Sequence, residues 1–284
     1  MARNLAAAGY SVHAFDIDAA AVTRLAAMSG ITPHGSPRDV AAKAAVLFTA
    51  LPNDEIVRDT YLRDRGILSG GTAGLITCDC STVSPYVSRE IHAAAKARGI
   101  AHLDTPMLGS SPQAESGEIF FMVGGDRDKL AAIQPMLDVM GRLTMYVGPS
   151  GTGNRIKLLH NALGAVSAVA VAESLALCVE VGVDPKTYYE VVKNGGGMAY
   201  STYFDRRALR VIEGHFDPTF TLDLMLKDVT LATKMAGAQL RSMPILRETL
   251  DAFTEGKSLG WGGEDFSGVT HVIEQRFGRK ISRS

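Results

Sequence analysis

Cysteine, tryptophan and runs of like charge are all scarce in this chain, and each scarcity narrows what the chain can be. Three cysteines, Cys78, Cys80 and Cys178, and one tryptophan stand among 284 residues. Three thiols make no disulfide framework. Cys78 and Cys80 lie two apart in a strand-like run, and no second Cys/His pair stands at zinc spacing, so ordinary buried thiols are expected and no metal site. Lysine plus arginine (29) and aspartate plus glutamate (30) nearly cancel. With no basic run, neither nucleic acid nor an anionic membrane surface is an expected partner. The longest apolar stretch, ALGAVSAVAVAESLALCVEVG, carries Glu173 and Glu180 and is rich in alanine. It reads as a buried helix of a soluble protein and not as a membrane span. The first residues show no basic segment followed by an apolar one, so no secretory signal is read, and the expected location is the cytoplasm.

What is present falls into two halves. Up to about Gly148, short β-rich runs (SVHAF, AVLFTALP, GLITCDCST, IAHLDTP, EIFFMVGGD, LTMYVG) alternate with helix-like segments such as SPYVSREIHAAAKARG and RDKLAAIQPMLDVMG. That alternation predicts an α/β fold with a mostly parallel, doubly wound sheet over residues 1–148. From about Gly153 only helical periodicity remains, broken at GVDP, NGGG, GHFDP and SMP. An all-helical second domain is expected over residues 149–284.

The opening MARNLAAAGYSVHAFDID raises a specific question. A helix, a turn glycine, a strand and an acid, Asp16, at the strand's end are the tail of a dinucleotide-binding βαβ unit. The glycine-rich loop of that unit lies about 20 residues before the acid, which places it ahead of Met1. Other glycine clusters do not replace it. GPSGTG (Gly148–Gly153) follows a strand and precedes a helix, but its spacing is G-x-x-G-x-G, and it lacks the G-K-[ST] ending of a P-loop. SGGTAG precedes a strand and NGGG lies between helices, so both read as turns or loops.

The segment GTGNRIKLLHNALG carries the chemistry. In a helix starting near Asn154, Lys157, His160 and Asn161 fall at i, i+3 and i+4 and project from one face. A lysine and an asparagine on a mostly apolar helix beside a domain boundary are costly unless paired or used. The bland alternative is a lysine that extends to solvent.

These segments resemble the β-hydroxyacid dehydrogenase family, which includes 3-hydroxyisobutyrate dehydrogenase and tartronate semialdehyde reductase and is related to 6-phosphogluconate dehydrogenase. The family's catalytic pattern G-x-G-x-x-x-K-x-x-N/H-N matches GTGNRIKLLHN. LPNDEIV (Leu51–Val57) and DCSTVSP (Asp79–Pro85) resemble its cofactor segments, DTPMLGS (Asp104–Ser110) its substrate loop, and FTLDLMLKD its F-x-x-x-L-x-x-K-D segment. The resemblance implies a Rossmann-like sheet followed by an all-α domain, and hydride transfer between a nicotinamide cofactor and a small β-hydroxyacid or its semialdehyde. It implies Lys157 as the acid–base residue, with Asn161 holding the substrate oxygen or orienting the ammonium, and His160 as a substrate contact or a structural histidine. Leu51, Pro52 and Ile56 would wall the adenosine, Thr82 would lie near the nicotinamide ribose, and Lys227 would reach the nicotinamide end. Asp16 favours NAD over NADP by accepting from the ribose and repelling a 2′-phosphate.

The substrate loop departs from the family's D-A-P-V-S-G-G. Leu108 stands in place of its serine, which leaves Gly109 amides and Ser110 as the expected carboxylate contacts. The family's first strand and its G-x-G-x-M-G loop are not matched, and Met1 corresponds to the methionine that follows that loop. The expectation is a start assigned to an internal methionine, about 14 residues late on the family pattern. The resemblance also implies a homodimer or homotetramer assembled through the helical domains. Another small carbonyl or imine reduced on the same scaffold, and a non-catalytic interaction protein, are the competing readings.

Overall fold

The alternating runs of the first half become strands because β-branched and aromatic residues fill them, and helices because side-chain caps start them. A computed structural model describes residues 1–281. In chain order the first half holds α1 (Ala2–Ala7), β1 (Val12–Ala14), α2 (Ala19–Ala26), β2 (Ile31–Pro33), α3 (Pro37–Ala41), β3 (Val46–Thr49), α4 (Asp54–Leu62), α5 (Ile67–Gly70) and β4 (Ile76–Asp79). It continues with α6 (Pro85–Lys96), β5 (Ala101–Asp104), β6 (Met107–Leu108), α7 (Ser111–Ser116), β7 (Ile119–Gly124), α8 (Arg127–Met140) and β8 (Gly141–Gly148). Asn53 caps α4 by accepting from the Ile56 N–H at 2.9 Å. Ser84 caps α6, with Pro85 in its first turn, where a missing N–H costs nothing.

β1 and β2 form a two-stranded parallel sheet; β3, β4, β5, β7 and β6 form a second, with β8 also on β7. β3, β4 and β5 run parallel, β7 pairs antiparallel with β5 and β6, and β8 runs parallel to β7. Among the described residues the two sheets are not hydrogen-bonded to each other. Side chains alternate across β3. Leu47 joins a core with Val57, Tyr61, Val87 and Ile91, while Val46 and Phe48 join a core with Leu103, Phe121, Ile133 and Leu137. This is the pattern of a strand covered on both faces.

The register aligns one residue from each strand end. Thr49 pairs with Asp79, Asp79 with Asp104, Asp104 with Gly124, and Gly124 with Gly148. A row of polar and small residues therefore crosses the carboxyl edge of the parallel strands, the edge where open α/β sheets bind ligands.

The second half is helical: α9 (Thr152–Glu180), α10 (Pro185–Gly195), α11 (Leu209–Ile212), α12 (Leu222–Ala236), α13 (Pro244–Ser258) and α14 (Thr270–Phe277). The chain divides into two compact units, Met1–Lys157 and Leu158–Ser284. This division falls later than the break read at Gly148, because the first turn of α9 is hydrogen-bonded into the first unit. α9 is long and apolar enough to cross a membrane by length and composition alone. Its Ala165, Ala168, Ala172 and Leu175 pack in the cores of the second unit, with Leu222, Val229 and Phe253 or with Tyr189 and Val211. Its Leu159, Leu163 and Leu177 are exposed, so the helix is buried on one side only and not all round.

Candidate active site

Several strands of the first unit carry functional candidates just after they end. Asp16 follows β1 and is exposed; its Oδ1 accepts from the Asp18 N–H at 2.9 Å, and Asp18 in turn caps α2. After β3, Leu51 is half-buried and its N–H donates to Ser81 Oγ at 2.8 Å, while Pro52 and Ile56 are exposed. After β4, Thr82 is half-buried between the buried Ser81 and Val83. Asp79 ties these loops together. Its Oδ1 accepts from Thr49 Oγ1 at 2.8 Å, from Ser81 Oγ at 2.5 Å and from the Ser81 N–H at 3.2 Å. Burial pushes its carboxyl up from the usual range, and the Ser81 and Thr49 hydrogen bonds only partly offset that.

These positions suit a dinucleotide: an exposed carboxylate for ribose hydroxyls after β1, apolar walls after β3, and a hydroxyl after β4. GPSGTG does not serve as the phosphate cradle. The Gly151 N–H donates to Asp104 Oδ1 at 2.7 Å and the Asn154 N–H to Asp104 Oδ2 at 3.1 Å, so an internal carboxylate already uses these donors.

The substrate loop is more structured than its sequence reads. Met107 and Leu108 form β6, and Ser110 starts α7. Gly109 is exposed at φ +136, a backbone conformation that favours glycine. The Ser110 hydroxyl donates to Gln113 Oε1 at 2.7 Å, and the Ser110 N–H donates to the same oxygen at 2.9 Å. Both donors of Ser110 are thus engaged in starting α7.

α9 begins at Thr152, and Lys157 is half-buried near its start. In the second unit His160 is exposed, with Nδ1 3.0 Å from Asn161 Oδ1. Asn161 is buried and its Nδ2 donates to Asp228 Oδ2 at 2.6 Å. Asp228 Oδ1 lies 3.1 Å from Lys227 Nζ. The structure therefore joins Asn161 and Lys227 through one buried carboxylate. Asp228 was not among the residues expected from sequence, and the K-D pair was its only signal. Asp104 and Asn154 were missed as well, since both stand in segments read for their neighbours. Among the described residues no group of three or more His, Cys, Asp or Glu side chains is arranged to hold a metal.

Comparison with known proteins accounts for both halves. Residues 1–148 match the NAD binding domain of 6-phosphogluconate dehydrogenase, and residues 151–273 match the NAD-binding domain of NADP-dependent 3-hydroxyisobutyrate dehydrogenase. The chain is 35% identical to the NAD-dependent L-serine dehydrogenase of Pseudomonas aeruginosa, over 98% of this chain and 95% of that protein. It is 33% identical to the 2-(hydroxymethyl)glutarate dehydrogenase of Eubacterium barkeri, over 99% and 93% respectively. Among solved structures, Mycobacterium tuberculosis 3-hydroxyisobutyrate dehydrogenase with L-serine superposes with a TM-score of 0.86 at 29% identity, covering 96% of this chain and 94% of that one. A Rossmann-like sheet with strand-end carboxylates, an all-helical second unit, and matches running through both identify the chain as a member of the β-hydroxyacid dehydrogenase family of NAD(P)-dependent oxidoreductases.

Proposed function

We propose that this enzyme of the family oxidises a small β-hydroxyacid with NAD, or reduces the corresponding semialdehyde, using Lys157 as its acid–base residue. The observation that carries the reading is the placement of Lys157. It stands in the second turn of α9, four residues after a GTG segment, and the first turn is bonded to Asp104 at the end of β5. Bound NAD supplies the hydride acceptor. The Lys157 amine takes the proton from the substrate hydroxyl in oxidation and its ammonium returns a proton to the carbonyl oxygen in reduction. Asn161, held by Asp228, is assigned to hold the substrate oxygen or orient the ammonium. Lys227, beside the same carboxylate, is assigned to the nicotinamide end. His160, Gly109 and Ser110 are assigned to the substrate carboxylate, with backbone amides the better donors because the Ser110 hydroxyl is already occupied.

Asp16 selects NAD. Its exposed carboxylate suits the ribose diol and repels a 2′-phosphate. Leu51, Pro52, Ile56 and Thr82 complete the cofactor side. L-Serine, a β-hydroxyacid named for two of the relatives, is the first substrate to test. The exposed stripe Leu159, Leu163 and Leu177 on α9 supports assembly as a homodimer or homotetramer through the helical units.

Lys157→Ala tests the reading. It should lower kcat by about 10³-fold while NADH affinity, followed by fluorescence transfer, stays within about twofold. Turnover near the parent level in this variant removes Lys157 from the chemistry.

A further inference from the structure

The glycines of GPSGTG have a use other than phosphate binding. α9 starts after Gly151, which has φ +85 and no side chain with which to cap the helix. The first N–H groups of a helix lack partners within it and need an acceptor. Here the acceptor comes from another element. Asp104, at the end of β5 and fully buried, receives the Gly151 N–H on Oδ1 at 2.7 Å and the Asn154 N–H on Oδ2 at 3.1 Å. The surrounding glycines make room for it. A Cβ on Gly124 would stand 2.7 Å from Asp104 Oδ1, one on Gly153 would stand 2.8 Å from Oδ2, and one on Gly151 would stand 2.9 Å from the Pro85 carbonyl. Within GPSGTG it is Gly153 whose missing side chain leaves space for this carboxylate, while Gly151 lets the backbone pass the Pro85 carbonyl.

A second anchor holds the same turn. Asn154 is fully buried; its Oδ1 accepts from the Val83 N–H at 3.1 Å, and its Nδ2 donates to Ser88 Oγ at 3.0 Å. Val83 adjoins Thr82, so this bond ties the cofactor loop after β4 to the helix that carries Lys157. Lys157 lies three residues beyond Asn154, which leaves little freedom between anchor and side chain.

We infer that Asp104 is a positioning residue for Lys157, acting as the N-cap of α9 from the adjacent β5 strand and fixing the first turn, which precedes the lysine. The inference rests on the acid–base reading of Lys157. A carboxylate is needed because both oxygens accept. An asparagine would turn an NH2 donor toward one of the two N–H groups and leave that donor unpaired. The negative charge also suits the helix N-terminus. Burial raises the Asp104 carboxyl, while the Gly151, Asn154 and Gly153 amides oppose that rise. Loss of the cap lets the first turn shift, and a displacement on the order of 1 Å is enough to lower turnover about 10²-fold.

The test is a double-mutant cycle with L-serine and NAD, joined to amide hydrogen exchange on the same proteins. Asp104→Asn should lower kcat by about 30- to 100-fold with the KM for L-serine within about threefold, since the loss is in geometry at the reacting centre. In a Lys157→Ala background the same change should produce no further loss. Exchange at Gly151 and Asn154 should accelerate at least about tenfold in Asp104→Asn, with the sheet amides of β4 unchanged. Gly124→Ala keeps the charge but crowds both carboxylate oxygens and the Gly153 nitrogen, and it should give the same kcat loss and the same local exchange. A folded Asp104→Asn protein with parental kcat, or with protected Gly151 and Asn154 amides, overturns the inference. An undiminished further loss in the Lys157→Ala background also overturns it, because Asp104 would then act independently of the lysine. Full turnover in Lys157→Ala alone is the separate failure of the acid–base reading, and it takes the coupling with it.

Discussion

Asp104 in the first unit and Asp265 in the second are both completely inaccessible, yet their surroundings treat the carboxylate in opposite ways. Asp104 and its neighbour Asp79 are held by backbone N–H and hydroxyl groups, and burial leaves both carboxyls raised. Asp265 receives Arg207 Nε at 3.0 Å as well as the hydroxyls of Thr219 and Ser267. Burial acts to raise it too, but the arginine and the Ser267 hydrogen bonds together outweigh burial, and the carboxyl ends below its ordinary value. Glu274 follows the same rule: His271, Lys280 and the Ile281 N–H bring it down to about 2 against the push of burial. The difference teaches what each unit is built for. In the second unit formal cations neutralise acids and lock helices together. In the first, partial charges orient acids along the carboxyl edge of the sheet.

Breaking a formal pair should cost more than weakening partial charges. The largest effect is expected from Arg207→Ala, which leaves Asp265 buried without its cation. It should destabilise the second unit by about 3–5 kcal/mol. Trp261, the one tryptophan of the chain, lies in that unit with its ring 4.9 Å from His271, so its emission follows this transition directly. A change well under 1 kcal/mol would mean that the pair is no stronger than the hydroxyl-held acids.

Acid sharpens the comparison. His102 in the first unit is buried beside Thr77, and burial, aided by His92, lowers it from 6.5 to about 3. A group depressed in the folded state contributes stability fully above its unfolded pKa and loses it as pH falls through the folded value. The His102 contribution is therefore complete above about pH 6.5 and declines toward pH 3. The Glu274 contribution is complete above about pH 4.5 and declines toward pH 2. The raised carboxyls of Asp79 and Asp104 work in the other direction, gaining stability as they protonate. Comparing parent with His102→Asn and with Glu274→Gln across pH should show the first difference shrinking at higher pH than the second. Coincident windows would break the contrast. The smallest effect is expected from Asp79→Asn. All three hydrogen bonds to Asp79 fall on Oδ1, which an asparagine oxygen reproduces. Thermal unfolding at neutral pH should move by less than about 1 kcal/mol in either direction.

Much of this was legible before any coordinates. Strand and helix periods differ, so the alternation of the first half and the helical second half could be read from apolar spacing. Asn53, Ser84, Asp184 and Thr221 cap their helices where cap residues stand in the sequence. Less legible were elements too short to show a period. β6 is two residues long, and the loop that contains it reads as irregular. Ser110 looked available to a substrate because nothing in DTPMLGS announces that Gln113, three residues on, engages its hydroxyl. GPSGTG read as a rejected phosphate cradle because an acceptor supplied by a distant strand leaves no local trace.

By itself, the sequence determined the class of the longer segments and the family, because these depend on local spacing and on motifs that run along the chain. Only the tertiary structure decided which polar residues meet. Thr49, Asp79, Asp104, Gly124 and Gly148 align across five strands, Asp104 reaches the start of α9, and Asp228 joins Asn161 to Lys227. The physical reason is that sheet register follows from burying two apolar faces at once. Once that register is set, the side chains at the strand ends have no freedom to choose other partners.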